Sequence, residues 1–281
     1  MRVTVYVASA FSKDNRGGNK AGVVLLNERL SNIQKKILSK QLDYAETAFI
    51  SRSETSDFKL EYFTPKEEVD LCGHATIATF VVLMYLNKLN KNHYVIETNS
   101  GNLNIDIKNG IIFMEQNVPI FYEKILPEEF ANCFDISLID RKLPIQVVST
   151  GLKDILVPIK SESSLNKLVP NFENIKLISS KHNVIGMHLF TIENNNITCR
   201  NFAPLYDIDE ESATGTSNCA LASYLYSHNY MRKEKYSFKQ GYSLNSLSEI
   251  LVKLVPNDQE NIEKIYSGGR GYFCETKILE I

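Results

Sequence analysis

The chain has 281 residues, a formal net charge of −2, 43% hydrophobic and 23% charged residues. This is the make-up of a soluble globular protein of one large or two small domains, and it lacks the global basic signal of a nucleic-acid binder. Five cysteines, an odd number with no C-x-x-C pair, argue against a disulfide framework and a structural zinc site, and for a reduced, cytoplasmic setting.

Met1 runs straight into the alternating strand Val3–Ala10, so no signal peptide is expected. A polar, glycine-containing loop follows over 11–19. Gly22–Leu26 reads as a second strand, and Ser31–Lys40 as an amphipathic helix with Ile33, Ile37 and Leu38 on one side. Ala45–Ile50 leads into a strand whose hairpin partner is Phe58–Phe63, stopped by Pro65. An acidic loop ends in Asp70-Leu71-Cys72-Gly73-His74, and a long apolar helix runs from Ala75 to about Leu86. That helix is broken by threonines and too short for a membrane span. Strands at Tyr94–Thr98, Leu103–Ile107 and Ile111–Gln116 are separated by turns at 99–101 and 109–110.

The pattern then repeats. Gly18–Val24 resembles Gly151–Val157, Ala45–Ile50 can be laid on Gly186–Thr191, Phe63-Thr64-Pro65 matches Phe202-Ala203-Pro204, and Gly73–Thr76 matches Gly215–Asn218. The offsets are 133, 141, 139 and 142 residues, in one order, which points to a duplicated fold. In this alignment Glu46 faces Met187 and His74 faces Thr216. Two like halves facing each other would bring both glycine junctions to one cleft.

Gly73 and His74 stand where a loop becomes a helix. The first amides of a helix lack internal partners and carry partial positive charge, so the junction suits a carboxylate. His74 adds a group that exchanges protons near neutral pH. Glu46, just before an apolar strand, is either a solvated carboxylate or a partly buried one with a raised pKa, fit for proton transfer. The simplest reading of Cys72 is a small buried hydrophobe, and that of the acidic run 207–211 a solvated loop. Gly268-Gly269-Arg270-Gly271 lacks the lysine and hydroxyl of a phosphate loop and reads as a turn between C-terminal strands or as a minor basic contact.

Taken together, these stretches resemble the PhzF-like family, the phenazine-biosynthesis isomerases and their relatives. Gly17-Gly18-Asn19 resembles the family's GGNP, with Lys20 for proline. Ala45–Phe49 is similar to its SETAF segment, and Phe63-Thr64-Pro65 with Glu68–Thr76 to FTP…EVDLCGHAT. Phe202-Ala203-Pro204 with Glu210–Thr216 resembles FAP…EDPATGS. The resemblance implies an α/β, diaminopimelate-epimerase-like fold of two pseudo-symmetric domains, each a sheet wrapped around a central helix. The expected division is residues 1–117, completed by strand 271–281, and residues 118–270.

The resemblance also implies a homodimer with no metal or organic cofactor, acting on a small carboxylate-bearing molecule, with no nucleic-acid or membrane partner. It places the general acid/base on Glu46 and further catalytic roles on His74 and Glu211. It places substrate contacts on Gly73, Gly215, Thr216 and Asn19. In related epimerases two cysteines move the proton; here Cys72 fills one position, but the second half has Ala213 before Thr214-Gly215. Glu211 replaces the family's aspartate and Thr216 its serine, and GRPS reads Asn245-Ser246-Leu247-Ser248. The expected activity is a proton-shifting isomerisation of the dihydro-hydroxyanthranilate type. Alternatives are a cofactor-independent amino-acid racemase or epimerase, and a non-catalytic small-molecule binding protein.

Overall fold

The computed structural model describes residues 1–281, which divide into two compact units. The first comprises Met1–Glu115 and Gly268–Ile281, and the second Gln116–Ser267. No helix is long and apolar enough to cross a membrane.

In the first unit the elements run β1 (Arg2–Ser12), β2 (Asn19–Leu25), α1 (Asn32–Leu42), β3 (Thr47–Ser51), β4 (Phe58–Phe63) and β5 (Glu68–Val69). Then come α2 (Gly73–Tyr85), β6 (His93–Thr98), β7 (Gly101–Lys108) and β8 (Ile111–Gln116). β1 pairs antiparallel with β2, β2 parallel with β3, and β3 antiparallel with β4. β4 is antiparallel to β5 and parallel to β6, and β6, β7 and β8 form an antiparallel meander.

The second unit holds β9 (Ile120–Ile125), β10 (Ile145–Ser149), β11 (Lys153–Pro158), α3 (Glu162–Lys167), α4 (Phe172–Lys181), β12 (Gly186–Glu193) and β13 (Asn196–Ala203). It continues through β14 (Ile208–Glu211), α5 (Gly215–Ser227), β15 (Lys235–Gln240) and β16 (Ser248–Pro256) into β17 (Ile262–Glu280), whose later residues belong to the first unit. The ladder β10–β11–β12–β13–β14, with β15 on β13 and β16 on β15, repeats the first unit's parallel and antiparallel senses pair for pair. The duplication read in the sequence is therefore a duplication of topology.

Each unit is built around one helix. In α2 every residue from His74 to Leu83 is buried, and in α5 only Thr216 and Ser227 are not. A helix apolar all round needs protein on every side. β1, β2 and β3 pack on α2, and β10, β11 and β16 on α5. The shorter helices lie outside: α1 starts at a Ser31–Gln34 capping box and shows solvent Ile33 and Ile37, so its apolar stripe covers the sheet only in part.

The polar loop after β1 is a tight hairpin. Lys13 and Arg16 exchange backbone hydrogen bonds across Asp14 and Asn15, both with positive φ, the type I′ pattern that suits the twist of two strands. Gly268–Gly271 is no turn, contrary to the sequence expectation: it lies inside β17. Its glycines are there for close approach. A Cβ on Gly268 would meet the Phe113 ring at 2.3 Å, and one on Gly271 the Ser9 carbonyl oxygen at 2.5 Å.

The strand registers also correct the repeat by one residue. Thr47 sits opposite Phe63 as Met187 sits opposite Phe202, so the counterpart of Glu46 is Gly186, not Met187. The second unit has no side chain at that position, and none fits: a Cβ on Gly186 would stand 1.9 Å from the Phe202 carbonyl oxygen, on the adjacent strand. Gly186→Ala is expected to destabilise the fold by about 1–3 kcal/mol, as overpacking against immobile neighbours does. A lowered urea midpoint checks this; an unchanged midpoint contradicts it.

Candidate active site

Glu46, Gly73 and His74 come together in the first unit. Glu46 immediately precedes β3, while Gly73 and His74 open α2. Glu46 Oε2 lies 3.2 Å from His74 Nε2, and both side chains are largely buried, at 14% and 5% exposure. The two atoms are close but not aligned, so Oε2 has no hydrogen bond. Burial pushes the Glu46 carboxyl above the ordinary carboxylate range, and a hydrogen bond with Cys72 offsets part of the rise. Cys72 is buried, as expected of a small hydrophobe, but its Sγ also faces the imidazole, 3.5 Å from Nδ1 and 3.9 Å from Nε2. The three residues bring a carboxylate oxygen, a sulfur and a ring nitrogen within 4.8 Å of one another, a donor set that also suits a metal ion.

The start of α2 is held from below. The Thr76 hydroxyl donates to the Cys72 carbonyl at 2.7 Å and lies 2.6 Å from the fully buried Tyr62 hydroxyl. Cys72 keeps extended backbone angles, and no side chain caps the helix. The peripheral helices differ: Ser31, Ser161 and Asn171 each cap theirs with a side-chain oxygen. Of the five helices, only α2 and α5 start without such a cap.

Gly215 and Thr216 open α5 in the second unit, and Glu211 ends β14 just before them. Asn218, the counterpart of Thr76, donates to the Thr214 carbonyl at 2.8 Å, so the same lock is made with a different side chain. The Thr214 hydroxyl donates to Glu211 Oε2 at 2.6 Å, and Gln240 ties the Glu211 carbonyl, Thr214 and Asn218 together. Thr150 donates to the Thr216 carbonyl at 3.0 Å. Asn19 opens β2, which runs parallel to β3 with Gly22 opposite Thr47. Asn19 and Glu46 thus stand at the same end of neighbouring strands. The altered 245–248 segment closes a loop in which Ser246 donates its amide to the Gly241 carbonyl at 3.0 Å.

The acidic run 207–211 is not a solvated loop. Residues 208–211 form β14; Asp207 and Asp209 are exposed as expected, but Glu210 makes a bidentate pair with Arg200 at 2.9 and 2.8 Å, with both side chains at least nine-tenths buried. Arg200 also donates to the carbonyls of Leu165 and Leu168. The expectation failed for Glu210 because its neutralising arginine sits on the adjoining strand, ten residues earlier, where only strand register brings the two together.

A buried polar network under α5 was not anticipated. Ser217 donates to Asp154 Oδ2 at 2.6 Å, and the Asn201 amide reaches both Ser217 Oγ and His188 Nδ1. The one sequence signal was a lone aspartate opening the apolar run Ile155-Leu156-Val157. Burial pushes Asp154 up to about 7 and His188 down to about 4.

Unfolded, these groups titrate near 3.8 and 6.5. Between pH about 4 and 6.5 the folded pair therefore holds one proton, on Asp154, and the unfolded pair also holds one, on the histidine. Their effects on stability cancel across that window. Single substitutions expose them. Asp154→Asn leaves only the histidine, which the unfolded chain protonates more readily, so stability should fall as pH drops from 6.5 to about 4. His188→Gln leaves only the aspartate, which the folded chain protonates more readily, so stability should fall as pH rises from about 4 to 7. Each slope is at most about 1.4 kcal/mol per pH unit. Denaturant melts across this range check the pair; slopes of the same sign contradict it.

Residues 8–276 match the family model described as phenazine biosynthesis-like protein, PhzC-PhzF. The chain is 30% identical over 285 residues to the uncharacterized isomerase YfhB of Bacillus subtilis, with 97% of each chain covered. The crystal structure of the Bacillus anthracis phenazine biosynthesis protein of the PhzF family superposes with a TM-score of 0.91 at 24% identity, covering 100% of both chains. A hydroxyproline epimerase from Agrobacterium vitis shares the fold at a TM-score of 0.66 and 10% identity, covering 99% of this chain and 92% of that one. The epimerase-like fold expected from the motifs is thus the fold found, and the chain belongs to the phenazine biosynthesis-like (PhzC-PhzF) family and is an isomerase of that family.

Proposed function

We propose that this isomerase moves a proton on a small, carboxylate-bearing substrate, by a dihydro-hydroxyanthranilate-type isomerisation or a related double-bond shift. The observation that carries the proposal is the buried Glu46 carboxylate, with Oε2 unbonded, 3.2 Å from His74 Nε2 at the uncapped start of α2. A base that takes a proton from carbon must be dehydrated and must not be locked in a salt bridge. Burial supplies the first condition, and the second holds while the imidazole is neutral, since the two form an ion pair only with a protonated His74.

Glu46 removes the proton and returns it to a neighbouring carbon. A carboxyl with a raised pKa serves both steps better than an ordinary one. His74 stabilises the charge that develops along the conjugated system, and the Gly73 amide, at the positive end of α2, holds a substrate oxygen. We assign Glu211, Gly215 and Thr216 to the same substrate. The Thr214 hydroxyl donates to Glu211 Oε2 and holds that carboxylate in place, which suits it to orienting the substrate. Asn19 is assigned to the substrate's polar groups.

A double-bond shift fits better than racemisation for a specific reason. Inversion uses two bases on opposite faces of one carbon. The second unit offers Gly186 where the first has Glu46 and Thr214 where the first has Cys72, and its acid at the junction, Glu211, is fastened by the Thr214 hydroxyl.

Deuterium uptake tests the proposal. In heavy water, with dihydro-hydroxyanthranilate and a panel of amino and hydroxy acids, wild type should label a single carbon without inverting it. Glu46→Gln should fold normally and lose about 10²–10⁴ in rate. Full turnover by Glu46→Gln would sink the mechanism.

A further inference from the structure

The trio Glu46, Cys72 and His74 has a geometry that proton transfer does not require. Zinc binds carboxylate oxygen and imidazole nitrogen at about 2.0–2.2 Å and thiolate sulfur at about 2.3 Å, so neighbouring ligands on a tetrahedron stand about 3.3–3.6 Å apart. Here Oε2 and Nε2 are 3.2 Å apart, and Sγ and Nε2 3.9 Å. These two spacings are within a few tenths of an ångström of a tetrahedral edge, and all three donor atoms lie within 4.8 Å of one another, so side-chain rotations would seat an ion.

Charge points the same way. A carboxylate and a thiolate carry two negative charges, which a divalent ion cancels, and a neutral cluster is the form that burial tolerates. Cys72 immediately precedes the first turn of α2, at the positive end of the helix. The Tyr62–Thr76 lock fixes the Cys72 backbone, and burial confines both side chains, His74 at 5% and Cys72 at 7% exposure. Glu46 Oε2 is a buried acceptor outside any hydrogen bond, and coordination would replace the bond between the Glu46 carboxyl and Cys72. A thiolate selects a soft ion over magnesium or calcium.

We propose that Glu46, Cys72 and His74 form a reversible inhibitory site for a thiophilic divalent cation, zinc above all, with the fourth coordination position open. Binding displaces the thiol proton and occupies the oxygen that would otherwise meet the substrate. The inhibitory consequence rests on the proton-transfer reading of Glu46; the binding does not.

The test uses cobalt(II) as a coloured stand-in for zinc, titrated into chelator-treated full-length protein without substrate. Wild type should develop a near-ultraviolet thiolate-to-cobalt charge-transfer band and the visible bands of four-coordinate cobalt. These should saturate at one equivalent and bleach on adding zinc. Cys72→Ser, nearly isosteric, should lose the charge-transfer band. Cys274→Ser should keep it, Cys274 being the one cysteine that is not buried. No band in wild type, or a band that survives Cys72→Ser, overturns the site and leaves the isomerase reading to its own deuterium test. One equivalent of zinc should abolish deuterium uptake, and a chelator should restore it. Undiminished uptake by zinc-loaded enzyme overturns the inhibitory role.

Discussion

The fold depends on burying two helices on all sides. A helix apolar around its whole circumference cannot lie on a surface, so each sheet must curl around it. The cost falls at the helix start, where amides that water would otherwise serve are carried into the protein. Elsewhere in the chain serine or asparagine side chains cap helices. At α2 and α5 no side chain does, and the preceding residue is held extended by a bond to its own carbonyl, from Thr76 in one unit and Asn218 in the other. A core that must be dry and a helix start without a side-chain cap together make a place for an anion.

Duplication supplied two such places, and divergence made them unequal. The first unit kept a carboxylate beside its junction and the second has glycine there, enforced by the Phe202 carbonyl. The second unit instead carries its acid one element later, at Glu211, fastened by Thr214. Its interior is also the more polar, with Asp154, Ser217, Asn201 and His188 joined under α5. The two buried titrating groups there are shifted in opposite senses, so the network keeps its charge state across mildly acid pH. Such a network can hold the first turn of α5 steady without making the fold sensitive to pH over that range.

Much of this was legible in the sequence because it is local. The alternating strands, the apolar helix after His74 and the glycine junctions all follow from neighbouring residues, and the four repeated segments from their order. What the sequence did not disclose is non-local. The one-residue slip that places Gly186 rather than Met187 opposite Glu46 is set by strand register. Glu210 looked solvated because Arg200 pairs with it across a ladder. Gly268–Gly271 looked like a turn because glycine serves turns and close approaches equally, and only the Phe113 ring and the Ser9 carbonyl distinguish them. Cys72 was legible as buried, but its approach to His74 depends on how α2 begins.

The claim on which the account turns is that Glu46 is a dehydrated carboxyl whose proton affinity is raised by its surroundings. The most direct test is its titration by carbon-13 NMR of protein labelled at glutamate side-chain carboxyls, in chelator, with Glu46→Gln to assign the resonance. The expected midpoint lies clearly above that of the surface glutamates in the same spectrum. A midpoint among or below them would mean that the carboxylate is solvated or ion-paired, and that this chain moves protons, if at all, by another group.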